Sequence, residues 1–272
     1  MTGNKLDTLI HTLKDLESAV LAFSGGADST FLLKAMQLSG IRALAVTAHS
    51  ETMPADDLLN AKKIAGEIGI EHRIIQTGEL AREEFVSNTP ERCFFCKDER
   101  FGKLRDISAA EGYTSVIDGS NHDDLSDYRP GREAAKKHLV GSPLAEAGFS
   151  KEEIRDFSRQ LGLSTCDRPS SPCLATRIPY GQRITKESLL RIERAEKFLM
   201  SLGLGTVRVR DHDAAARIEI GENEIAFFLV PEKRALISQT LKSYGYIFVS
   251  LDLDGFQSGS MNRGLASGMA DG

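Results

Sequence analysis

The sequence predicts an α/β protein in which a doubly wound parallel sheet is followed by a smaller α+β domain. Short apolar runs alternate with helical patterns in the first half of the chain, an order that is typical of a parallel sheet covered on both faces. After a stretch rich in proline and serine, the pattern changes to long amphipathic helices and alternating strands. The 272 residues suffice for one large domain or two medium ones.

The first domain is predicted from short apolar runs and the helical segments between them. Asp28 begins a segment with apolar residues at helical spacing, and Pro54 suits the first turn of the next helix. In chain order we predict an amphipathic helix near the start, a strand at 19–23, a helix at 28–38, a strand at 43–48, a helix at 54–68, a strand around Ile74, a helix at 97–111, a strand at 115–118 and a helix at 151–161.

The second domain is predicted after residue 165, so that the domains are 1–165 and 166–272. The segment CDRPSSPCLATRIPYGQR breaks regular structure at this point. Beyond it we predict a helix at 186–202, two paired strands in TVRVR and ARIEI, a helix at 232–244 and a final strand in YIFVSLDL.

Composition and charge disfavour some classes of function, in particular non-specific nucleic-acid binding and membrane insertion. With 41% hydrophobic and 27% charged residues, the composition is globular. The net charge of −5 disfavours a non-specific nucleic-acid binder, since such a protein needs a basic face. No apolar run reaches the length of about 18 residues that spans a bilayer, and the amphipathic start differs from a signal peptide. We therefore expect a cytoplasmic protein without membrane or nucleic-acid partners.

A glycine loop, residues 24–29 (SGGADS), lies between the first predicted strand and its helix. Two glycines let successive N–H groups point into one concavity at the positive end of a helix, which favours an anion. Asp28 would repel a phosphate unless a divalent cation lay between them. The loop predicts ATP with Mg²⁺ rather than an ordinary capped turn, although it lacks both the Walker A and the G-x-G-x-x-G patterns. The candidate nucleotide ligands are Ser24, Gly25, Gly26, Asp28 and Ser29.

A second set of nucleotide-binding residues is predicted at the ends of the second and fourth strands. Ligands of open parallel sheets bind at the carboxyl ends of the strands. An acidic segment begins there after the fourth strand, and its carboxylates could hold the cation, although a solvated acidic loop is the plainer alternative for any single member. The candidates are Asp118 and Gly119 for ATP, Asp124 for Mg²⁺, His49 and Ser50 for the adenosine side, and Arg129 for a phosphate.

The four cysteines suggest a metal site or sulfur chemistry, because structural disulfides are rare in the cytoplasm. Cys93 and Cys96 form a C-x-x-C pair, which we expect one loop turn apart and able to reach a single metal or cluster. Cys173 could supply a third thiolate, which leaves one open position and favours an iron–sulfur cluster over structural zinc. Zinc or a reversible disulfide remain alternatives, and Cys166 could be simply a small buried residue.

Two arginines of a predicted strand form a candidate phosphate site. Arg208 and Arg210 alternate in TVRVR, so their guanidinium groups share one face. A solvated strand face paired with Glu219 is an equally good interpretation.

Several motifs together resemble a known family. AFSGGADST resembles the PP-loop of ATP pyrophosphatases, whose first domain has an adenine nucleotide alpha hydrolase-like fold. SGGADST, RCFFCK, DGSNHDDLSDYRPG, PCLATRIPYG and TVRVRDHDAAARIEI occur in the order found in the LarE family of ATP-dependent sulfur transferases, over almost the whole chain. The resemblance implies an enzyme of nickel-pincer cofactor biosynthesis that adenylates the carboxylates of pyridinium-3,5-biscarboxylic acid mononucleotide and converts them to thiocarboxylates.

The same resemblance implies two possible sulfur sources and several binding residues. In one group of the family the cysteine matching Cys173 gives up its own sulfur and becomes dehydroalanine. In the group with a C-x-x-C pair, three cysteines hold a [4Fe-4S] cluster whose free iron carries sulfide from a sulfur donor, and this chain resembles that group. The resemblance also places Arg177, Arg208 and Arg210 on phosphates and Glu196 and Glu219 near a divalent metal, but an acidic position of that metal site falls on Phe227.

Three other functions compete with a LarE-type enzyme. A tRNA-thiolating PP-loop enzyme would need an RNA-binding surface, which the acidic balance disfavours. An amide-forming synthetase would give the cysteines no role, and a nucleotide sensor would release no pyrophosphate. Phosphate-binding arginines outside the loop domain are compatible with sites shared between subunits, so we expect a homo-oligomer.

Overall fold

The computed structural model of the chain describes residues 5–125 and 130–257, and it contains two compact units. Of the described residues, the first unit contains 5–81, 90–125 and 130–171. The second contains Arg82–Thr89 and residues 172–257.

The predicted helices and strands occur in the predicted order, and further short helices lie between them. The strands are β1 Ser18–Ala22, β2 Arg42–His49, β3 Glu71–Gln76, β4 Ser115–Asp118, β5 Val207–His212, β6 Ala215–Ile220 and β7 Phe248–Leu251. The helices are α1 Lys5–Asp15, α2 Ala27–Ser39, α3 Ala55–Ile68, α4 Glu83–Val86, α5 Arg92–Glu111, α6 Gly131–Lys137, α7 Pro143–Glu146, α8 Lys151–Gln160, α9 Lys186–Ser201 and α10 Pro231–Ser243. Short 3-10 helices span Glu79–Ala81, Asp123–Leu125, Leu174–Arg177 and Glu222–Leu229.

The first unit contains a parallel sheet with strand order β3-β2-β1-β4. Successive residues of β1 face opposite sides of it: Leu21 joins the core formed with Phe31 of α2, and Val20 joins a second core with Leu104 of α5. Helices therefore cover both faces, and the predicted doubly wound α/β class is confirmed. Ala22 pairs with both Val46 and Asp118, so the loops that follow β1 and β4 leave the sheet at the same edge.

The helix that carries two of the cysteines starts earlier than predicted. We expected it to begin at Lys97 with the C-x-x-C pair in a preceding loop, but α5 begins at Arg92, shortly after Pro90. The residues between contain no glycine or proline that would prevent helix formation. Cys93 and Cys96 are therefore three positions apart on a helix, not one loop turn apart.

The second unit contains a small sheet with strand order β5-β6-β7. β5 and β6 are antiparallel, as the alternating pattern predicts, and β7 lies parallel to β6. Leu199 of α9 and Leu241 of α10 pack with Val209 and Ile218 of the sheet, so the unit has its own apolar core.

A short segment of the first half of the chain belongs to the second unit. Asn88 is fully buried, and its Nδ2 donates to the carbonyl oxygens of Pro179 at 2.7 Å and Gln182 at 2.8 Å. The backbone N–H of Ile184 donates to Val86 O at 2.9 Å. The main division between the units falls between Ser171 and Pro172. The domain boundary predicted from the sequence follows residue 165.

In the part of the chain that the structure describes, no helix is both long and apolar enough to cross a membrane.

Candidate active site

The glycine loop connects β1 to the N-terminus of α2, as predicted. Gly25 has φ of +71°, and a Cβ there would lie 3.0 Å from Ala61 Cα of α3, so only glycine suits this position. The Ser24 and Ser29 hydroxyl oxygens are 3.1 Å apart, and the N–H of Gly26 donates to Ser24 Oγ at 3.3 Å. Hydroxyl and backbone donors therefore gather at the positive end of α2, which favours an anion.

The predicted carboxylates Asp28 and Asp124 are linked through Asn121. Asn121 Nδ2 donates to Asp28 Oδ2 at 3.0 Å, and the backbone N–H of Asn121 donates to Asp124 Oδ2 at 3.3 Å. Burial raises the pKa of the Asp28 carboxyl, and the charge of Asp124 adds to the rise against the hydrogen bond from Asn121. Lys151 Nζ lies 3.1 Å from Asp124 Oδ1 and partly offsets the negative charge. A divalent cation beside Asp28 would favour its ionised form.

Asp118 and Gly119, which are predicted to bind ATP, make contacts with neighbouring parts of the chain. Asp118 Oδ1 accepts from Ser142 Oγ at 2.8 Å, and Asp118 Oδ2 accepts from Ser120 Oγ at 2.8 Å, so this carboxylate holds the loop together. A Cβ on Gly119 would lie 3.0 Å from the backbone N of Ser29. Gly119 thus permits the loop after β4 to approach the start of α2 closely.

The candidates for the adenosine side lie at the end of β2. His49 Nδ1 is 3.3 Å from Gln76 Oε1 of the neighbouring strand. Ser50 is buried, and its hydroxyl lies 2.9 Å from Thr52 Oγ1. Arg129 falls outside the described residues.

Cys93 and Cys96 occupy the first turns of α5. Residues three apart on a helix are neighbours on one face, so both thiols can reach one metal or cluster. The Cys96 thiol donates to Oε1 of the fully buried Glu79 at 3.3 Å, and Arg100 Nη2 lies 3.6 Å from its sulfur. Within residues 5–125 and 130–257 no group of three or more His, Cys, Asp or Glu side chains could hold a metal ion.

The other two cysteines lie on opposite sides of the division between the units. Cys166, in the first unit, is half-buried and its sulfur lies 3.4 Å from Asp167 Oδ2. Cys173, in the second unit, is also half-buried and precedes the 3-10 helix of Leu174–Arg177.

Arg177 is buried, with 2% of its surface exposed, and organises the backbone around Cys173. Its Nη1 donates to the carbonyl oxygens of Pro172 at 2.6 Å and Cys173 at 3.2 Å. Nε and Nη2 each donate to one carboxylate oxygen of Glu196 at 3.0 Å. This bidentate pair satisfies two buried charges at once.

The strand arginines and Glu219 form a second buried group. Glu219 is fully buried and accepts from Arg210 Nη2 at 2.6 Å and from Arg217 Nη2 at 3.2 Å. The predicted pairing with Glu219 is present, but the strand face is not solvated, because Arg210 is buried too. Burial lowers the pKa of Arg208, and the charges of Arg177 and Arg210 add to this effect. Neighbouring carboxylates oppose the shift without cancelling it, and a guanidinium whose charged form is disfavoured by burial is stabilised by a bound anion.

The carboxylates predicted near a divalent metal, Glu196 and Glu219, both accept hydrogen bonds from guanidinium groups. Phe227 is half-buried, and the Lys233 ammonium lies 3.7 Å from its ring centroid.

Sequence reasoning missed three polar residues of the first unit. Asn121 stands inside the acidic segment, where its side-chain amide donates to Asp28 Oδ2 and accepts from the backbone N–H of Asp124. The sequence around Lys151 and Arg168 does not indicate their contacts, because the residues that they bind are distant in sequence and become neighbours only on folding. Arg168 Nη1 donates to Gly25 O at 3.1 Å across 143 residues of sequence.

Comparison with known proteins places the chain in a family. No family model matches it. An uncharacterized protein of Synechocystis sp. is 44% identical over 264 residues, covering 97% of this chain and 98% of its own length. Pyridinium-3,5-bisthiocarboxylic acid mononucleotide synthase of Lactiplantibacillus plantarum is 38% identical over 262 residues, covering 96% of this chain and 94% of its own.

A more distant relative supports the PP-loop fold. The tRNA-specific 2-thiouridylase MnmA of Treponema denticola is 24% identical over 191 residues, covering 56% of this chain and 52% of its own length. The resemblance found in the motifs thus agrees with a full-length match to a synthase and a partial match to a thiolating enzyme. The chain belongs to the LarE family, that of pyridinium-3,5-bisthiocarboxylic acid mononucleotide synthases.

Proposed function

We propose that this chain is an ATP-dependent sulfur transferase that adenylates the carboxylates of pyridinium-3,5-biscarboxylic acid mononucleotide and converts them to thiocarboxylates. The observation that carries the proposal is a glycine loop at the N-terminus of α2, beside Asp28, in a chain that matches such a synthase almost end to end. The product named for that relative is the bisthiocarboxylic acid mononucleotide.

The first unit binds ATP through the glycine loop. The Ser24 and Ser29 hydroxyls and the backbone N–H groups donate to phosphate oxygens, and the dipole of α2 adds a favourable field. Asp28 and Asp124 would hold Mg²⁺, which neutralises phosphate charge. The raised pKa of Asp28 fits this role, because a nearby cation stabilises the ionised form of a carboxyl that partial burial disfavours.

Activation follows from placing two reactants together. A substrate carboxylate oxygen attacks the α-phosphorus of ATP, the bond to the bridging oxygen breaks, and pyrophosphate leaves. Positioning and charge neutralisation are the main contributions of the protein to this step. Arg208, whose lowered pKa reflects burial among other guanidiniums, is proposed to hold the phosphate of the mononucleotide together with Arg210.

Cys93, Cys96 and Cys173 are proposed to hold a [4Fe-4S] cluster, which when bound supplies a deprotonated inorganic sulfide as the nucleophile. The helical spacing of Cys93 and Cys96 fits two ligands on one face of α5. Arg100, 3.6 Å from Cys96 Sγ, offers a donor to a thiolate there. Arg177 holds the backbone of Cys173 through its carbonyl oxygen.

Anaerobic reconstitution with iron and sulfide, followed by an assay with ATP, Mg²⁺, the biscarboxylic mononucleotide and sulfide, tests the proposal. Pyrophosphate should form only when the carboxylate substrate is present, and mass spectrometry should show thiocarboxylates with the protein mass unchanged. C93A, C96A and C173A should each lose the cluster absorption and the thiocarboxylate product, whereas C166A serves as the matched control.

Three results would contradict parts of the proposal. A protein mass lower by about one H₂S would identify Cys173 itself as the sulfur source. Thiolation of tRNA instead of the mononucleotide would identify a tRNA-thiolating enzyme. ATP binding without carboxylate-dependent release of pyrophosphate would indicate that the protein is a nucleotide sensor and not an adenylating enzyme.

A further inference from the structure

Arg168 joins three parts of the first unit that are far apart in sequence. Its Nη1 donates to the carbonyl oxygen of Gly25 at 3.1 Å, and its Nη2 donates to Asp57 Oδ1 at 2.7 Å. The other oxygen of Asp57 accepts from Ser171 Oγ at 2.7 Å. Asp57 lies in the first turn of α3, so the segment around residues 168–171 is fastened to both the glycine loop and α3.

The bond to Gly25 O orients the peptide between Gly25 and Gly26. A trans peptide is planar, so its C=O and N–H point in opposite directions, and fixing one fixes the other. The N–H of Gly26 points to Ser24 Oγ, which lies next to Ser29 Oγ. Because glycine residues rotate easily, the contact with Arg168 adds to the bond with Ser24 Oγ in keeping this N–H directed at the hydroxyl side of the loop.

The guanidinium contributes through geometry more than through its charge. Asp57 lies 2.7 Å away and compensates most of that charge. A charged donor on a carbonyl oxygen also polarises the peptide, which strengthens its N–H as a donor. The planar fork reaches Gly25 O and Asp57 together, which a lysine ammonium would not reproduce.

We propose that Arg168 is a positioning residue for the triphosphate of ATP, and that it acts through the Gly25–Gly26 peptide. The inference rests on the proposed binding of ATP by the glycine loop. It adds a residue from the segment before Cys173 to the machinery that shapes the loop, with Asp57 as its anchor.

Isothermal titration of the full chain with Mg²⁺·ATP, Mg²⁺·pyrophosphate and adenosine tests the proposal in the wild type, R168M and D57N. R168M should bind Mg²⁺·ATP and pyrophosphate about tenfold more weakly, the scale of one lost charge-assisted hydrogen bond, with unchanged adenosine affinity. D57N should weaken both phosphate ligands to a smaller degree. R159M is the matched control, because Arg159 pairs with Asp156 and Asp167 outside the loop.

Other outcomes would overturn the inference. Equal ATP affinity in R168M and the wild type would remove any role of Arg168. Tighter phosphate binding in D57N would show that the released guanidinium attracts the phosphate directly. An equal loss of adenosine and ATP binding in R168M, with a lower melting temperature, would indicate a purely structural role. Absence of ATP binding in the wild type would instead contradict the proposed function.

Discussion

At the scale of single residues, burial decides which charges are costly and which are satisfied. Asp28 is a half-buried acid whose surroundings oppose its ionisation, whereas the Arg177 guanidinium donates to Glu196 and to backbone carbonyls. The surroundings of Asp28 suit a cation-binding site, whereas the contacts of Arg177 suit a structural role that fixes the backbone around Cys173. Two predictions separate these roles.

The variant D28N tests the energetic cost of ionising the half-buried carboxyl of Asp28. Burial raises the pKa of Asp28, so folding favours the protonated form. The stabilisation is complete below the pKa of an unfolded aspartate, about 3.9, and is lost as pH rises through the folded value. Calorimetry should show D28N melting above the wild type at pH 7, with the difference shrinking toward pH 3.5.

The same variant should bind Mg²⁺·ATP at least about tenfold more weakly, because the cation loses a charged ligand. D106N, which changes an exposed aspartate of α5, is the control. A D28N protein that is less stable than the wild type at pH 7 would contradict the sign of this argument.

The variant R177M tests the buried ion pair. Removing one partner leaves Glu196 buried without its bidentate donor, and such a change costs about 3–5 kcal/mol. Urea unfolding of the second unit should show this loss, and R177M/E196L should recover part of it. R183M removes an exposed pair with Glu83, which solvent screens, and should therefore cost far less. Similar losses for R177M and R183M would refute the structural role.

At the scale of elements, the turn from β1 to α2 depends on both backbone angle and contact. Gly25 and Gly40 both have positive φ, at +71° and +73°, and they lie at opposite ends of α2. A Cβ at Gly25 would meet Ala61, whereas one at Gly40 would meet nothing within 4 Å. A side chain at either glycine would be strained by the positive φ, but only at Gly25 would it also clash with a neighbouring residue.

The pair G25A and G40A measures that difference. G40A should lose about 1 kcal/mol, the scale of left-handed strain for an L residue, and keep its ATP affinity. G25A should lose more, since the α3 backbone must also move, and its ATP binding should fall below detection. Chemical denaturation and nucleotide titration provide the two measurements. Equal stability of the two variants would mean that the contact with Ala61 has no cost.

At the scale of the whole molecule, the chain leaves the first unit at Ala81 and returns at Pro90. Asn88 secures the intervening segment to the second unit through its buried amide. Its φ of +56° is one that asparagine tolerates better than most residues.

N88A should loosen the second unit. The carbonyl oxygens of Pro179 and Gln182 would lose their donor, at a cost of about 1–3 kcal/mol for a buried unsatisfied group. Hydrogen exchange should become faster at the amides of Gly181 and Ile184, while peptides from β1 and β2 keep their protection. N60A, on α3, is the control, and uniform loss of protection in both units would contradict the assignment of residues 82–89.

Local pattern was enough for the fold class and for the position of the glycine loop between a strand and a helix. Apolar runs and helical spacing predicted the parallel sheet, and the two glycines between strand and helix predicted the anion cradle. The start of α5 was missed, because a C-x-x-C pair is compatible with a loop or a helix, and only packing decides between them. Arg177 was recognised as a functional candidate, but its buried ion pair with Glu196 on α9 left no signal in the local sequence.

The sequence by itself determined the α/β class, the position of the glycine loop and the family, because each depends on residues that are close together or on motifs kept in order. Tertiary structure alone decided that Arg168 holds Gly25, that Asn88 ties residues 82–89 to the second unit, and that Asp28 shares Asn121 with Asp124. Hydrophobic periodicity reports which face of an element is buried and carries no information about which distant polar group will meet it.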